Sequence, residues 1–514
     1  MKTLPLQTSP HLECEATDAL VAEPPGTALP FAIAAAVTLL HMLTNGRYGF
    51  HPDELAFLSD ARHLDWGFVA YPPFTPLIGR IGLQIFGLSL VGLRVFPVIA
   101  QASAIVLTAV MARQLGGGRL AQVTAALAVA LSGITLFEAT QFQYTTFDYA
   151  WWVLVAYFTI RLLKTDDPRW WLAIGVVAGV GMMTKYTMAF FVAGILGGML
   201  LTDARRYFAN RWFWSGAALA VAIFLPNLLW QLRHNFISLH FLWYLHVRDV
   251  GLGRASGFWR DQFLITNPVA ALLWITGLVI FLRERRYRVM GWMYLIPLFI
   301  FVVARGRGYY LAPAYPMLIA MGAVGCERWL GSRSQFRRQI PQLVFFTALV
   351  VCGLYSCATQ VPLASGGPLR DFALRHNGAF RREIGWDELV RTVAGIRDSL
   401  PVEQRKNLGV LVATDGERGA IELLGPAYHL PSPISGTNSG WLRGYPADPP
   451  STLIVIGSAP QYVEKTFTSC RLAGHNTNPD GIQNDETLQN PDVFVCGAPR
   501  LPWPQFWKAY QNFG

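Results

Sequence analysis

Residues 170–201 read WWLAIGVVAGVGMMTKYTMAFFVAGILGGMLL, and their only charged residue is Lys185. A membrane-spanning helix needs about 20 apolar residues, so this stretch can hold two short spans. The polar residues Thr184–Thr187 divide it, and we predict a tight turn there between spans 170–184 and 187–201. The whole chain is 53% hydrophobic and 14% charged, whereas globular domains carry about 25% charged residues. We therefore predict a polytopic α-helical membrane protein.

Working outward from this hairpin, further apolar runs bring the prediction to about eleven transmembrane helices, within a range of ten to thirteen. These runs are 28–46, 90–112, 120–137, 147–163, 212–232, 263–282, 289–304, 309–326 and 341–360. Residues 28–360 would form the membrane domain. The polar, acidic residues 1–27 do not resemble a signal peptide, and we predict that they are a cytoplasmic tail.

Charge sets the predicted orientation. With the N-terminus in the cytoplasm, Lys and Arg are about three times denser in the short inside loops than in the outside loops, as the positive-inside rule requires. The two longest loops, 47–89 and 233–262, are then outside, where long loops usually carry function. An odd number of spans also places residues 361–514 outside. The formal charge of +10 is explained by the basic inside loops, and no nucleic-acid partner is expected.

Residues 361–514 predict a small extracytoplasmic α/β domain, because short apolar strands alternate with helical stretches. The predicted strands are 407–413, 453–457 and 492–496, and the predicted helices are 386–400, 417–424 and 460–472. Six cysteines occur without a CxxC pattern, which gives no sign of a zinc site. Cys470 and Cys496 could form a disulfide if this domain is outside.

The first outside loop carries adjacent acids, Asp53 and Glu54, just after the first span. Neighbouring like charges raise the pKa of at least one group, which suits a general base. A solvated loop edge, or a helix N-terminus capped by Asp53, would explain the same residues without chemistry.

The sequence HPDELAFLSDARHLDWGFVAYPPFTPLIGRI at 51–81 resembles the first outer loop of bacterial family 39 glycosyltransferases, which are related to protein O-mannosyltransferases and to the lipid A aminoarabinose transferase. Three weaker matches follow in the family's order: GMMTKY at 181–186, PNLLWQ at 226–231 and GYYLAPAYP at 308–316. The resemblance covers roughly residues 30–330.

The resemblance implies a GT-C fold in a bacterial inner membrane. It also implies transfer of a sugar from a polyprenyl-phosphate donor to a lipid, glycan or protein hydroxyl on the outer face. Asp53 matches the family's catalytic aspartate, and Glu54 is its acidic neighbour. The aminoarabinose transferase has an arginine after its acidic motif and a lysine before Pro-Pro. Here those places are not basic, and Tyr71 precedes Pro72. The lipid A activity is therefore not carried over.

Phosphate contacts would then come from other cations at the outer ends of spans, namely Lys185, Arg305 and Arg307. Each could instead be an interfacial side chain that reaches out to the headgroups. Further substrate-binding candidates are Asp148, Gln143, His234, Tyr309, Tyr310 and Tyr71. The histidines at 234, 240 and 246 are spaced by six, so one helix would not gather them on a metal. We expect no structural metal site, and a divalent cofactor is left open.

Two other classes of protein are alternatives. A secondary transporter would predict paired broken helices and ionisable residues at the midplane, yet the acids here gather at one face and no repeated halves are visible. A scaffold or sensor built on the C-terminal domain would leave the 51–81 sequence without a purpose.

Overall fold

The structure, a computed structural model, describes residues 28–332, 334–478 and 480–514, apart from the side chains of 335–338. The predicted tail 1–27, with Cys14, lies outside these residues. The first part of the chain is helical: α1 Ala28–Thr44, α2 Pro52–Arg62, α3 Phe74–Phe86, α4 Leu90–Gln114, α5 Arg119–Ala130, α6 Gly133–Glu138, α7 Tyr144–Thr165, α8 Trp170–Met182, α9 Met188–Leu200, α10 Arg211–Arg233, α11 Ile237–Gly251, α12 Phe258–Leu264, α13 Ala271–Arg283, α14 Arg288–Val303, α15 Tyr315–Gly331 and α16 Gln335–Gln360. Short 3₁₀ turns cover Asp203–Ala209, Pro268–Ala270 and Gly308–Ala314.

Each predicted span contains a helix, but the helices differ in length. Among the described residues, four helices are long and apolar enough to cross a membrane alone, and two sharply bent pairs raise this number to six. The four are Leu90–Gln114, Arg211–Arg233, Gly308–Gly331 and Gln339–Gln360, and the bent pairs are Met188–Leu200 with Asp203–Ala209 and Phe258–Leu264 with Pro268–Arg283. Five further apolar helices are shorter. The total of about eleven crossings therefore remains a prediction.

Close helix packing in the membrane part depends on glycine. Helices α13 and α15 cross where Gly277 meets Leu318 and Gly322 meets Leu273. A Cβ atom on either glycine would lie 1.9 Å from the facing carbonyl oxygen. Only a residue without a side chain allows these backbones to approach so closely.

The predicted span 120–137 is broken. Helix α5 ends at Ala130, and Ser132 starts α6 by accepting a hydrogen bond from the Thr135 N–H group at 3.3 Å. Serine at this position caps the new helix and so favours the break. By contrast, α8 ends at Met182 and α9 begins at Met188, so the predicted turn between these two helices is confirmed.

The C-terminal part combines short helices with one mixed sheet. Its helices are α17 Gly367–His376, α18 Gly378–Arg381, α19 Trp386–Ser399, α20 Val402–Lys406, α21 Asp415–Leu424, α22 Ser439–Leu442, α23 Pro460–Thr466, α24 Asp485–Leu488 and α25 Trp503–Tyr510, with a 3₁₀ turn at Gly425–Tyr428. The strands are β1 Leu408–Val412, β2 Pro433–Ser435, β3 Thr452–Ile456, β4 Arg471–His475 and β5 Asp492–Gly497, in the order β2-β1-β3-β5-β4. Pairs β1/β2 and β1/β3 are parallel, and β5 pairs antiparallel with β3 and β4.

All three predicted strands are confirmed as β1, β3 and β5. The helix predicted over 460–472 is too long, because α23 ends at Thr466 and the chain turns into β4. Cys470 and Cys496 are joined by a disulfide between the start of β4 and β5.

The C-terminal part is packed onto the first predicted outside loop. Apolar side chains of α2, such as Leu55 and Leu58, share one buried cluster with Trp386 and Leu389 of α19 and with Ile454 of β3. A second, larger cluster fills the membrane part. The sheet and the loop 47–89 are therefore built around a common core.

Candidate active site

Asp53 lies in the first turn of α2, whose start is fixed by a capping box. The His51 ring accepts a hydrogen bond from the Asp53 N–H group at 3.2 Å, and the Glu54 carboxylate accepts one from the His51 N–H group at 2.8 Å. Burial lowers the pKa of His51 to about 4, so the ring is neutral and can accept. The Asp53 carboxylate is half exposed, and within the described chain it accepts no hydrogen bond. The capped backbone therefore fixes the position of Asp53, and its carboxylate is free to accept a proton.

Glu54 has the opposite environment. Its side chain is fully buried, and Arg94 binds both carboxylate oxygens, at 2.9 Å through Nε and 2.7 Å through Nη2. The N–H groups of His51 and Phe142 donate to the same carboxylate at 2.8 and 2.7 Å. With four donors on two oxygens, Glu54 has no free lone pair directed at a substrate. The sequence treats the two acids as a catalytic pair, but the geometry suits Glu54 to holding the loop that presents Asp53.

Arg94 extends this network to the loop after α1 and to the C-terminal part of the chain. Its guanidinium also donates to the carbonyl oxygens of Asn45 and Gly49, at 3.1 and 2.9 Å, and to Glu383 at 3.3 Å. Arg94 and Glu383 are not among the site residues predicted from the sequence. An arginine inside the apolar run 90–112 was a usable signal, because a charge in a membrane helix is usually paired and functional.

Glu383 should make the stability of the protein depend on pH. Burial raises its pKa from about 4.5 to about 8, since Arg94 is shared with Glu54 and only partly compensates. The folded state then holds a proton that the unfolded chain loses, so stability falls as pH rises from about 4.5 to about 8. We expect Glu383→Gln to flatten this part of the melting-temperature profile. An unchanged slope between pH 5 and 8 would show that Glu383 stays ionised.

A second cluster surrounds Lys185, in the turn between α8 and α9. Its Nζ atom lies 5.0, 5.6 and 4.9 Å from the ring centroids of Tyr144, Tyr309 and Tyr310. The same small cavity is lined by Glu138 and Asp148. Sequence-predicted Lys185, Tyr309, Tyr310 and Asp148 therefore do come together, in a cage where aromatic faces surround the ammonium group and two carboxylates line the same cavity.

Hydrogen bonds from neighbouring side chains fix both acids of this cavity. The Thr187 hydroxyl donates to Asp148 at 2.6 Å, and the Trp152 indole donates to its other oxygen at 3.1 Å. The hydroxyls of Thr145 and Thr146 both donate to Glu138 at 2.7 Å. The cavity therefore has a rigid polar wall around one cation.

Tyr144 connects the two clusters. Phe57, one helical turn after Asp53, packs edge-on against the Tyr144 ring with centroids 5.6 Å apart. Burial, with smaller effects of Tyr310 and Asp53, raises the pKa of Tyr144, which lies before the predicted span 147–163. Tyr144 thus contacts Lys185 directly and Phe57 of the Asp53 helix on another edge.

The other predicted cations behave differently from Lys185. Arg307 forms a two-pronged ion pair with Asp249 of α11, at 2.6 and 2.8 Å, and Arg254 donates to the same carboxylate at 3.0 Å. Arg305 is exposed, and its side chain makes no hydrogen bond or ion pair within residues 28–332, 334–478 and 480–514. The structure gives Arg305 no place in the Lys185 cluster.

The three remaining candidates make contacts of their own. The Tyr71 hydroxyl is buried and donates to Asp60 at 2.7 Å, Gln143 donates to Gln141 at 2.9 Å, and His234 is stacked on Trp230 with centroids 4.0 Å apart. The Tyr71 ring also packs against Tyr144 with centroids 5.9 Å apart, and a substrate-binding role for the three residues stays a prediction. Among the described residues, no group of three His, Cys, Asp or Glu side chains is arranged to hold a metal ion.

Comparisons with known proteins agree with the resemblance seen in the sequence. The model of the dolichyl-phosphate-mannose-protein mannosyltransferase family matches residues 70–230. The lipid A galacturonosyltransferase RgtD of Rhizobium johnstonii is 27% identical over 49% of this chain and 54% of its own length. The undecaprenyl phosphate-α-4-amino-4-deoxy-L-arabinose arabinosyl transferase 1 of Pseudomonas fluorescens is 27% identical over 65% of this chain and 64% of its own length. The chain thus spans between half and two thirds of these curated relatives.

A solved structure matches a larger share of the chain than these relatives do. The crystal structure of ArnT from Cupriavidus metallidurans bound to undecaprenyl phosphate superimposes with a TM-score of 0.57, at 15% identity, over 91% of this chain and 97% of that one. Its apo form gives a TM-score of 0.55. The protein is therefore a mostly helical membrane protein with a GT-C fold. Together the matches confirm the resemblance to family 39 type glycosyltransferases seen in the sequence.

Proposed function

We propose that the protein transfers a sugar from a polyprenyl-phosphate donor to an acceptor hydroxyl on the outer face of the inner membrane. The observation that carries this proposal is the half-exposed, unbonded Asp53 carboxylate on a helix whose Phe57 packs on Tyr144, the ring that also contacts Lys185. A free base and a partly buried cation match the two ends of a displacement reaction. The relatives support the donor class, because one is named for an undecaprenyl phosphate sugar and a fold neighbour was solved with undecaprenyl phosphate.

The reaction would be a single inverting displacement. Asp53 takes the proton of the acceptor hydroxyl as its oxygen attacks the anomeric carbon. The bond from that carbon to the phosphate oxygen breaks, and prenyl phosphate leaves with the electron pair. Lys185 would stabilise the charge that grows on the departing phosphate. The acceptor is a hydroxyl of a lipid, glycan or protein.

The proposal is tested by adding defined undecaprenyl-phosphate sugars and acceptor lipids to the purified protein and measuring release of undecaprenyl phosphate. We expect Lys185→Met to lower kcat, because a contact that strengthens with phosphate charge acts in the transition state. Arg305→Met is the matched control and should keep both kcat and KM. No release with any donor would point to a transporter or scaffold, and equal rates for Lys185→Met and wild type would remove Lys185 from the site.

The orientation is part of the proposal. It is supported by the charge asymmetry of the loops, by the Cys470–Cys496 disulfide and by the core that the C-terminal part shares with loop 47–89. In a background without the four cysteines outside the disulfide, an impermeant thiol reagent should label Trp66→Cys and Leu488→Cys in intact spheroplasts. Arg286→Cys should react only after lysis. Labelling of Arg286→Cys from outside would reverse the topology.

A further inference from the structure

A cavity of about 490 Å³ lies at the predicted inner face, on the side of the membrane opposite Asp53. It forms where α9 ends at Leu200 and the chain bends by 104° into the 3₁₀ turn Asp203–Ala209. The facing wall is the loop between α13 and α14. The lining residues are Leu200, Leu201, Thr202, Asp203, Arg205, Arg285 and Arg288. Neither the proposed reaction nor the relatives give this cavity a role.

The cavity has a surplus of positive charge. Its three arginines face a single carboxylate, Asp203, which the Arg285 guanidinium binds at 2.6 Å. Arg288 donates through Nε to the Leu282 carbonyl oxygen at 2.8 Å, which leaves its terminal nitrogens available. The Arg205 side chain makes no hydrogen bond or ion pair within the described part of the chain. Two guanidinium groups are therefore free to bind an anion with several oxygens, such as a phosphate.

The rim of the cavity is apolar. Leu200 and Leu201 are 64% and 58% exposed, and they come directly before the charged lining. Trp214, 61% exposed, follows the same 3₁₀ turn at the start of α10. Exposed leucines beside arginines, with tryptophan near the helix end, are typical of the boundary between acyl chains and headgroups. The lining therefore combines exposed leucines with three arginines.

From this arrangement we propose that the inner-face cavity binds the phosphate headgroup of an anionic membrane phospholipid, with Arg205 and Arg288 as its ligands and Arg285 held in place by Asp203. Basic pockets between membrane helices on the cytoplasmic side are suited to such headgroups. A free phosphate offers the same oxygens but gains nothing from the apolar rim. This site is independent of the transfer reaction proposed above.

The test is native mass spectrometry of the delipidated protein titrated with phosphatidylglycerol, phosphatidylethanolamine or inorganic phosphate. We expect phosphatidylglycerol to bind preferentially, and Arg205→Gln with Arg288→Gln to weaken its binding about tenfold, as expected for a lost charge-assisted contact. Arg119→Gln is the control, because Arg119 is exposed on another predicted inside loop and does not line the cavity.

Three results would overturn the proposal. Equal binding of the anionic lipid by the double variant and wild type would exclude this cavity. An equal loss in Arg119→Gln would mean that general surface charge is responsible. Displacement of the lipid by inorganic phosphate at a similar concentration would make free phosphate the ligand. Raising the salt concentration should weaken the specific binding in wild type, since the arginines are partly exposed.

Discussion

Replacing Asp53 with asparagine should lower the turnover of the purified protein by about 10²–10⁴-fold, the usual effect of losing a general base. The amide has the same shape but cannot take the proton of an acceptor hydroxyl. The fold should survive, because Asp53 contributes its backbone N–H group to the cap of α2 while its side chain is half exposed and unbonded. The measurement is the steady-state rate of undecaprenyl phosphate release, with the melting temperature as a check on folding.

Asp448→Asn provides the matched control. Asp448 is an exposed aspartate of the same predicted outer face, and it makes no side-chain hydrogen bond within the described residues. Its replacement should leave turnover unchanged. If Asp53→Asn kept near wild-type turnover with a normal KM, Asp53 would not be the base, and the reaction would need another proton acceptor.

The local parts of the candidate site could be predicted from the sequence. Asp53 follows an apolar span directly and begins a helix with Pro52, so a short window contains the whole signal. Lys185 interrupts a long apolar run, and the cage around it needs only that the outer ends of neighbouring helices meet. A short stretch of sequence does not show in which direction each side chain points. Asp53 and Glu54 are adjacent in sequence, yet one is half exposed and the other fully buried.

The long-range parts could not be predicted in this way. Glu383 and Arg94 are 289 residues apart, and no periodicity connects them. The same holds for Asp60, which accepts hydrogen bonds from Tyr71 at 2.7 Å and from Arg418 at 2.9 Å, and which also binds Arg443. These contacts attach the C-terminal part to α2. They exist only after the chain has folded back on itself.

The strands also differ in whether the sequence predicts them. The central strands β1, β3 and β5 are buried apolar runs and were found. The missed strands are the edges: β2 has only three residues, and β4 is RLAGH, with an irregular register against β5. Edge strands are exposed on one side and therefore lack a continuous apolar run.

The close packing of α21 against α2 depends on one glycine. A Cβ atom on Gly419 would lie 2.4 Å from the Leu55 backbone.

Removing Arg94 should destabilise the protein more than any other single change considered above. Arg94→Met would leave the Glu54 carboxylate fully buried without its positive partner, and breaking a buried ion pair costs about 3–5 kcal/mol. Arg80→Met is the control, because Arg80 is exposed on α3 and should change stability by less than about 0.5 kcal/mol. The measurement is the melting temperature in detergent.

The triple variant Arg94→Met, Glu54→Gln, Glu383→Gln separates charge from packing. Replacing every member of a buried ionic network by neutral groups of similar volume is often close to neutral, so most of the lost stability should return. Turnover should recover less completely, because the Glu54 contacts that hold the α2 N-terminus through His51 and Phe142 are weakened in an amide. A triple variant as unstable as Arg94→Met would show that the hydrogen-bond geometry of the guanidinium, rather than its charge, holds the Asp53 loop.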